Sequence, residues 1–248
     1  MKILQKIVSW LIRTILQIFI RKDDFMVSYP SEIYICSPEK IKNDPELLSE
    51  IIFAYQDIFL ESWNEKWEYT TVKEKILKEP AVIVVWKGEN IVKGFSWGNV
   101  LNKTQLIETL KSALGVSPKV KNINDEKVLY IHELGIRKQY RGGIVPLRWL
   151  LVPLFQKGLA EGVRKVIFWT APFSPVCGLA FLTGCTVIDS VYKDGKKILI
   201  MMHPDLKSLL KLSLSSTMRI KKFLNIAKKL KNLLQNKELI TSFLYGSF

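Results

Sequence analysis

Gln139-Tyr140-Arg141-Gly142-Gly143-Ile144 lies between two apolar runs, VLYIHELGI before it and VPLRWLLVPLF after it. The first run reads as a strand and the second as a helix. A strand that enters a helix through small residues can aim successive backbone N–H groups at one point. Such groups, with the helix dipole behind them, hold an anion. Arg141 can add a guanidinium fork to phosphate oxygens. The plainer reading is a glycine-assisted turn with Arg141 in solvent. The dinucleotide signature G-x-G-x-x-G is absent, which argues against a nicotinamide site. Cys36, Cys177 and Cys185 form no dense disulfide framework. With no C-x-x-C and only two histidines, a structural zinc site is not expected, and a reduced intracellular setting is the default.

The elements around this turn follow from periodicity. Pro30 and Pro38 bracket a short strand, EIYIC. ELLSEIIFAYQDIFLESW carries Leu48, Ile51, Ile52, Tyr55, Ile58 and Phe59 at helical spacing. A second helix is predicted from Thr71 to Lys78. AVIVVWKGENIVKGFSWG reads as two strands around Lys87-Gly88-Glu89-Asn90. Residues 101–127 are polar and read as an insertion with one short helix near Thr104–Leu114. KVLYIHELGI is a strand, and residues 144–161 form the helix after the turn. Pro146 suits its first turn, whereas Pro153 is expected to kink or interrupt it. KVIFWTA is another strand, residues 175–182 a short helix ending at Gly184, and TVIDSVYKDGKKILIMMH a closing hairpin around Lys193-Asp194-Gly195. This order predicts a mixed α/β (α+β) domain.

An apolar fraction of 48% over 248 residues is ample for a buried core. The net charge of +14 is concentrated at the ends. Residues 1–22 carry five basic side chains and no acid, and residues 205–248 carry nine basic and two acidic. The middle is close to neutral, with 23 basic against 21 acidic residues. A basic nucleic-acid-binding domain is therefore the weaker reading. Both ends repeat apolar residues at helical spacing with lysines between them. Residues 1–25 read as a basic amphipathic helix with Trp10 as a candidate interfacial anchor, and 205–248 as a basic helical extension that Ser215-Ser216-Thr217 could cap. Polar residues recur too often for a spanning segment. Two readings stand for these ends. They lie on an anionic membrane surface, or they pack on the chain's own core or across a homo-oligomer.

The stretch YIHELGIRKQYRGGIVPLRWLL resembles the GNAT superfamily of acyl-CoA-dependent N-acyltransferases. Its loop signature, Gln/Arg-x-x-Gly-x-Gly/Ala, is met by Gln139 and Gly142, while Ile144 stands where Gly or Ala is expected. The surrounding order of elements fits over about 31–203, and neither end is covered. The resemblance implies a central mixed sheet flanked by helices, with acetyl-CoA or another acyl-CoA as co-substrate. It assigns the coenzyme A pyrophosphate to Arg141, Gly142, Gly143, Ile144 and Val145, mainly through their backbone groups. Ile136 and Arg137 would mark the strand end along which the pantetheine arm runs.

Acyl transfer to an amine needs a neutral amine, a stabilised thioester oxygen and a proton for the leaving thiolate. Glu133 is the candidate base or amine-binding group. His132 is its neighbour, and strand alternation should turn the two to opposite faces, leaving His132 structural. Many relatives carry a tyrosine acid in Tyr-x-x-x-Gly-Phe. Aligning Gly184-Cys185 on Gly-Phe puts Ala180 at that position. Ser174, Thr183 and Tyr192 are weaker substitutes, and Cys177 reads as a buried apolar residue rather than a nucleophile. Trp63, Trp67 and Tyr69 could line an acceptor groove, with Glu61, Glu65 and Glu68 attracting a cation, although each also fits ordinary packing or solvation. Trp86, Trp97 and Trp169 read as sheet-packing residues. The expected activity is N-acyl transfer to an amine-bearing acceptor, in the cytoplasm or on the inner face of the membrane. The alternatives are a catalytically silent acyl-CoA-binding or scaffold protein and a nucleic-acid-associated protein.

Overall fold

A computed structural model describes residues 32–78, 80–88, 90–120, 123, 127–141, 145–172 and 174–214. All of them belong to one compact unit that ends at Leu214. The expected helix over 1–25, its Trp10 anchor, the cap at Ser215-Ser216-Thr217 and the chain after it lie outside the described residues. So do Gly142, Gly143 and Ile144.

The chain opens with β1 (Ile33–Cys36), α1 (Pro38–Lys42), α2 (Pro45–Trp63) and α3 (Tyr69–Lys78). A hairpin follows, β2 (Val82–Gly88) and β3 (Ile91–Leu101), then α4 (Lys103–Leu114) and β4 (Val128–Ile136). A 3-10 turn at Lys138–Tyr140 leads toward α5 (Val145–Ala160). The chain continues through β5 (Lys165–Thr170), α6 (Pro175–Thr183), the hairpin β6 (Thr186–Lys193) and β7 (Lys196–His203), and α7 (Leu206–Leu214). The seven strands form one sheet in the order β1-β2-β3-β4-β5-β7-β6. Only β4 and β5 pair in parallel, and the rest are antiparallel. The mixed α/β expectation holds.

Local chemistry explains the element ends. Asp44 accepts the Leu47 N–H at the start of α2, where Pro45 costs no hydrogen bond, and Asn64 closes that helix at φ 56°. In the last hairpin Asp194 and Gly195 both take positive φ, 50° and 72°. That is the backbone a tight primed turn between twisted strands requires.

The core lies on both faces of the sheet. On one face α2 and α3 bury Ile51, Ile52, Tyr55, Val72 and Ile76 against Ile83, Phe95 and Trp97. On the other, α5 buries Leu150, Leu154 and Phe155 against Val84, Leu129 and Ile131. Pro153 does not interrupt α5, which runs unbroken through it. The roughly 3 kcal/mol penalty of an interior proline is outweighed because Val152, Pro153, Leu154 and Phe155 are all buried. The α4 segment, read from sequence as part of an insertion, belongs to the core. Leu106, Leu110 and Leu114 pack with Tyr130, Ile167 and Ile200.

One short helix, α1, had no place in the sequence reading, and α7 falls at the start of the segment read as a helical extension, 205–248. Ser37 caps α1 by accepting from Lys40 N–H, with Pro38 behind it. Asp205 accepts from Ser208 N–H at the start of α7, and Leu206 and Leu209 bury against the α5 side of the core. Among the described residues no helix is long and apolar enough to cross a membrane.

Candidate active site

The parallel pair β4–β5 is short. Val128, Leu129 and Tyr130 align with Lys165, Val166 and Ile167, and the pairing stops there. β4 continues to Ile136 bonded only to β3, and β5 continues to Thr170 bonded only to β7. Among the described residues no strand pairs with either facing edge beyond that point, so the two strands part and leave a wedge. Such edges accept an extended ligand as a strand would.

A bulge lies on β4 at the point of parting. Trp97 pairs with Glu133 and Gly98 with Ile131, so His132 is the extra residue of a β-bulge. The bulge reverses the alternation. Ile131 faces the α5 side, as do Leu134 and Ile136, while Glu133 turns to the α2–α3 side. His132 stays on the Tyr130 face, with the two rings 4.6 Å apart edge to face. The expectation that His132 and Glu133 face opposite ways is thus overturned, because simple alternation fails across an inserted residue. Burial, with a smaller contribution from the Lys75 charge, pushes the His132 imidazole down to about 3. It is neutral near physiological pH.

Glu133 is buried, with 8% exposure. Its Oε1 accepts from the Tyr55 hydroxyl at 3.1 Å and from Lys75 Nζ at 3.0 Å. Burial pushes the Glu133 carboxyl up, and the Lys75 ammonium and Tyr55 hydroxyl oppose that shift. Tyr55 is held in a stack of rings, 4.2 Å from Phe59 and 5.7 Å from Trp97. Lys75 Nζ sits 4.8 Å from the centre of the Trp67 ring. Trp67 is fixed in turn by Gln56, which donates to its carbonyl, and by Glu65, which accepts from its indole N–H.

Sequence reasoning missed Tyr55 and Lys75 as site residues. Tyr55 was counted as one of the apolar residues of its helix. Lys75 left a usable sign, because it lies three residues after Val72 and one before Ile76, both buried. A lysine on the buried face of a helix calls for a partner.

Of the residues expected to hold a coenzyme, the described ones flank the end of β4 and the start of α5. Ile136 ends β4, and Val145 and Pro146 open α5. Two arginines of the group turn their side chains elsewhere. Arg137 donates to the Val92 carbonyl and pairs with Asp57. Arg141 donates through Nε to the Ile136 carbonyl at 2.7 Å and through Nη2 to Ser62 at 3.1 Å, with Glu61 at 3.4 Å. Glu61, read as a lure for a cationic acceptor, faces Arg141 and Lys138 instead. These contacts tie the end of α2 to the end of β4.

Trp63 and Trp169 meet edge to face at 6.0 Å, joining α2 to the part of β5 beyond its pairing with β4. Trp97 is fully buried and Trp86 nearly so, as sheet-packing residues should be. Ala180 is buried among Cys177, Cys185, Leu199 and Met201. Ser174 caps α6, the Thr183 hydroxyl donates to the Ala180 carbonyl, and Tyr192 stands exposed on β6. Burial pushes the Cys177 thiol up to about 12, which removes it as a nucleophile at neutral pH.

A parted parallel pair at the centre of an otherwise antiparallel sheet, with a helix leading out of the first strand, is the GNAT architecture, and this chain has that fold. It is similar to the CoA-dependent acyl-homoserine lactone synthase BjaI. The structure of BjaI with SAM and isopentyl-CoA superposes with a TM-score of 0.55 at 13% identity, covering 73% of this chain and 87% of that one. The structure of BjaI with MTA gives 0.56 at the same identity and coverage. The loading GNATL domain of CurA from Lyngbya majuscula gives 0.50 at 13% identity, over 71% of this chain and 97% of that one. No family model matches the chain, and no curated protein matches it by sequence.

Proposed function

We propose that this protein is an acyl-CoA-dependent N-acyltransferase in which Glu133 serves the acceptor amine. The observation that carries the proposal is the placement of a buried carboxylate just beyond the point where β4 leaves β5. A pantetheine arm fits the unpaired edge of β4 up to Ile136 and Arg137. The N–H groups at the start of α5, with the loop Arg141, Gly142, Gly143 and Ile144 before Val145, suit the pyrophosphate. The fold shared with an acyl-homoserine lactone synthase solved with isopentyl-CoA supports a CoA thioester as the donor.

Glu133 would take a proton from the bound ammonium, directly or through water, making the amine nucleophilic. No described residue hydrogen-bonds its Oε2, so that oxygen is the acceptor in this scheme. A β-bulge re-aims the backbone of its strand, and in this scheme backbone N–H groups of the bulge at His132 would stabilise the developing oxyanion. With Ala180 in the usual acid position, the thiolate would leave with a proton from the amine or from solvent. For the two basic ends we propose peripheral contact with an anionic membrane on the cytoplasmic side, which liposome flotation of full-length and end-truncated chains tests.

The decisive experiment is calorimetric binding of a CoA-thioester panel to the full-length chain, followed by thiol release with amine, peptide and lipid-amine panels. A folded sample that binds no CoA thioester overturns the proposal. The second reading, a CoA-binding protein without turnover, is favoured by Ala180 and by the engagement of Glu133 with Lys75. Saturable binding without thiol release would support it.

A further inference from the structure

We infer that Lys75 is itself an acyl acceptor, so that the protein acylates its own active-site lysine. This rests on the acyl-transfer reading above and extends it to a named substrate amine. Lys75 Nζ already stands where an acceptor ammonium should stand. It lies 3.0 Å from Glu133 Oε1 and 3.3 Å from the Tyr55 hydroxyl. The Trp67 and Tyr55 rings flank it at 4.8 and 5.7 Å, forming the aromatic wall that recognises alkylammonium groups. Of the lysine ion pairs between described residues, this is the one whose carboxylate is buried. The other acids are at least 19% exposed. The Lys75 side chain keeps 22% exposure, so it is not sealed in the core as Glu133 is. The backbone of α3 fixes its position through the buried Val72 and Ile76.

The step balances with groups already present and a CoA thioester. The Lys75 ammonium gives one proton to Glu133. The neutral Nζ attacks the thioester carbon, the C–S bond breaks, and the second proton from nitrogen passes to the departing thiolate. The products are an Nζ-acyl lysine and coenzyme A as its thiol, and Glu133 returns its proton to water. The amide replaces the charge that faced Glu133 and places the acyl group against Trp67. An external amine, conversely, has to displace Lys75 from Glu133 before it can react.

The test incubates the full-length protein with acetyl-CoA and maps acetylated peptides over time. Lys78, 72% exposed and one helical turn away, serves as an internal measure of unassisted chemical acylation. The expected result is a mass gain of one acetyl group at Lys75, formed about 100-fold faster than at Lys78. That gain is lost in Lys75→Arg and slowed about 100-fold in Glu133→Gln. Tyr55→Phe, which keeps the carboxylate, provides a second variant if Glu133→Gln does not fold by circular dichroism. Acetyl-CoA binding without faster acylation of Lys75 than of Lys78 overturns this inference and leaves the acyltransferase reading standing. Equal acylation of Lys75 in folded Glu133→Gln overturns it also. Failure to bind acetyl-CoA or any longer CoA thioester overturns both.

Discussion

Trp97 on β3 stands directly across the ladder from Glu133 on β4, and it does so because His132 is bulged out between Ile131 and Glu133. Were the alternation regular through His132, Glu133 would share the face of Ile131 and point toward α5. Gly98 sits opposite the bulge, where an added Cβ would come within 2.5 Å of the Tyr130 carbonyl oxygen. Both the fold and the placement of the carboxylate therefore depend on close backbone contact at Gly98.

Gly98→Ala is accordingly expected to push β3 away from β4. The clash is with backbone and cannot be relieved by a rotamer change. The expected loss of stability is about 1–3 kcal/mol, read as a lower urea midpoint with an unchanged slope. Gly115→Ala is a poor control because its φ is positive, whereas Ala113→Ser on α4 tests a partly buried helical site.

Tyr55→Phe removes a hydroxyl that donates to a buried carboxylate while leaving the ring stack in place. The expected cost is about 1–2 kcal/mol. Glu133→Gln keeps the shape but removes the charge that faces Lys75 and the base of the proposed reaction. Turnover in the thiol-release assay should fall about 100-fold with CoA binding retained. Loss of binding in parallel with turnover would argue that Glu133 holds the site together instead of moving a proton.

Much of the architecture was written in local pattern. The alternation in AVIVVWKG, the helical stripe from Leu48 to Phe59 and the Asp-Gly turn each reflect neighbouring residues, and each element formed where periodicity put it. The wedge is different. Nothing in VLYIHELGI or KVIFWT states that only the first three residues of each will pair, since that depends on how β7 and β3 draw the strands apart. The bulge at His132 was equally hidden, because a residue added to one strand is defined only against its partner. The pairing of Lys75 with Glu133 spans 58 residues of sequence. The spacing of Lys75 between Val72 and Ile76 was a sign that went unread, and nothing local to it named its partner. Arg141 shows the converse limit. Its charge and neighbours suggested phosphate, yet Glu61 and Ser62 at the end of α2 already engage it.

The thiols offer a simple check on the chemistry. Cys177 and Cys185 are buried, and burial pushes them up to about 12 and about 11. At neutral pH almost none of either thiol is ionised, so alkylation by iodoacetamide should be slow until the protein unfolds. Cys177→Ala should leave thiol release with an external amine within about twofold of wild type. A large loss of turnover with stability unchanged would reopen a covalent route through sulfur.

His132 predicts how the fold responds to acid. Its ordinary value of 6.5 is lowered to about 3 in the folded protein, chiefly by burial. Between those two values the unfolded chain binds a proton that the folded protein does not. Stability therefore rises with pH across that window and is lost as pH falls from about 6.5 toward 3. The expected loss from this one group is on the order of a few kcal/mol. Urea unfolding at several pH values between neutrality and pH about 4 would measure it. His132→Gln cannot take up that proton, so its stability should change less over the same range even if it is lower at neutral pH. If both proteins lose stability with the same slope, the acid response belongs to other groups, and the neutral state of His132 is not what the buried bulge enforces.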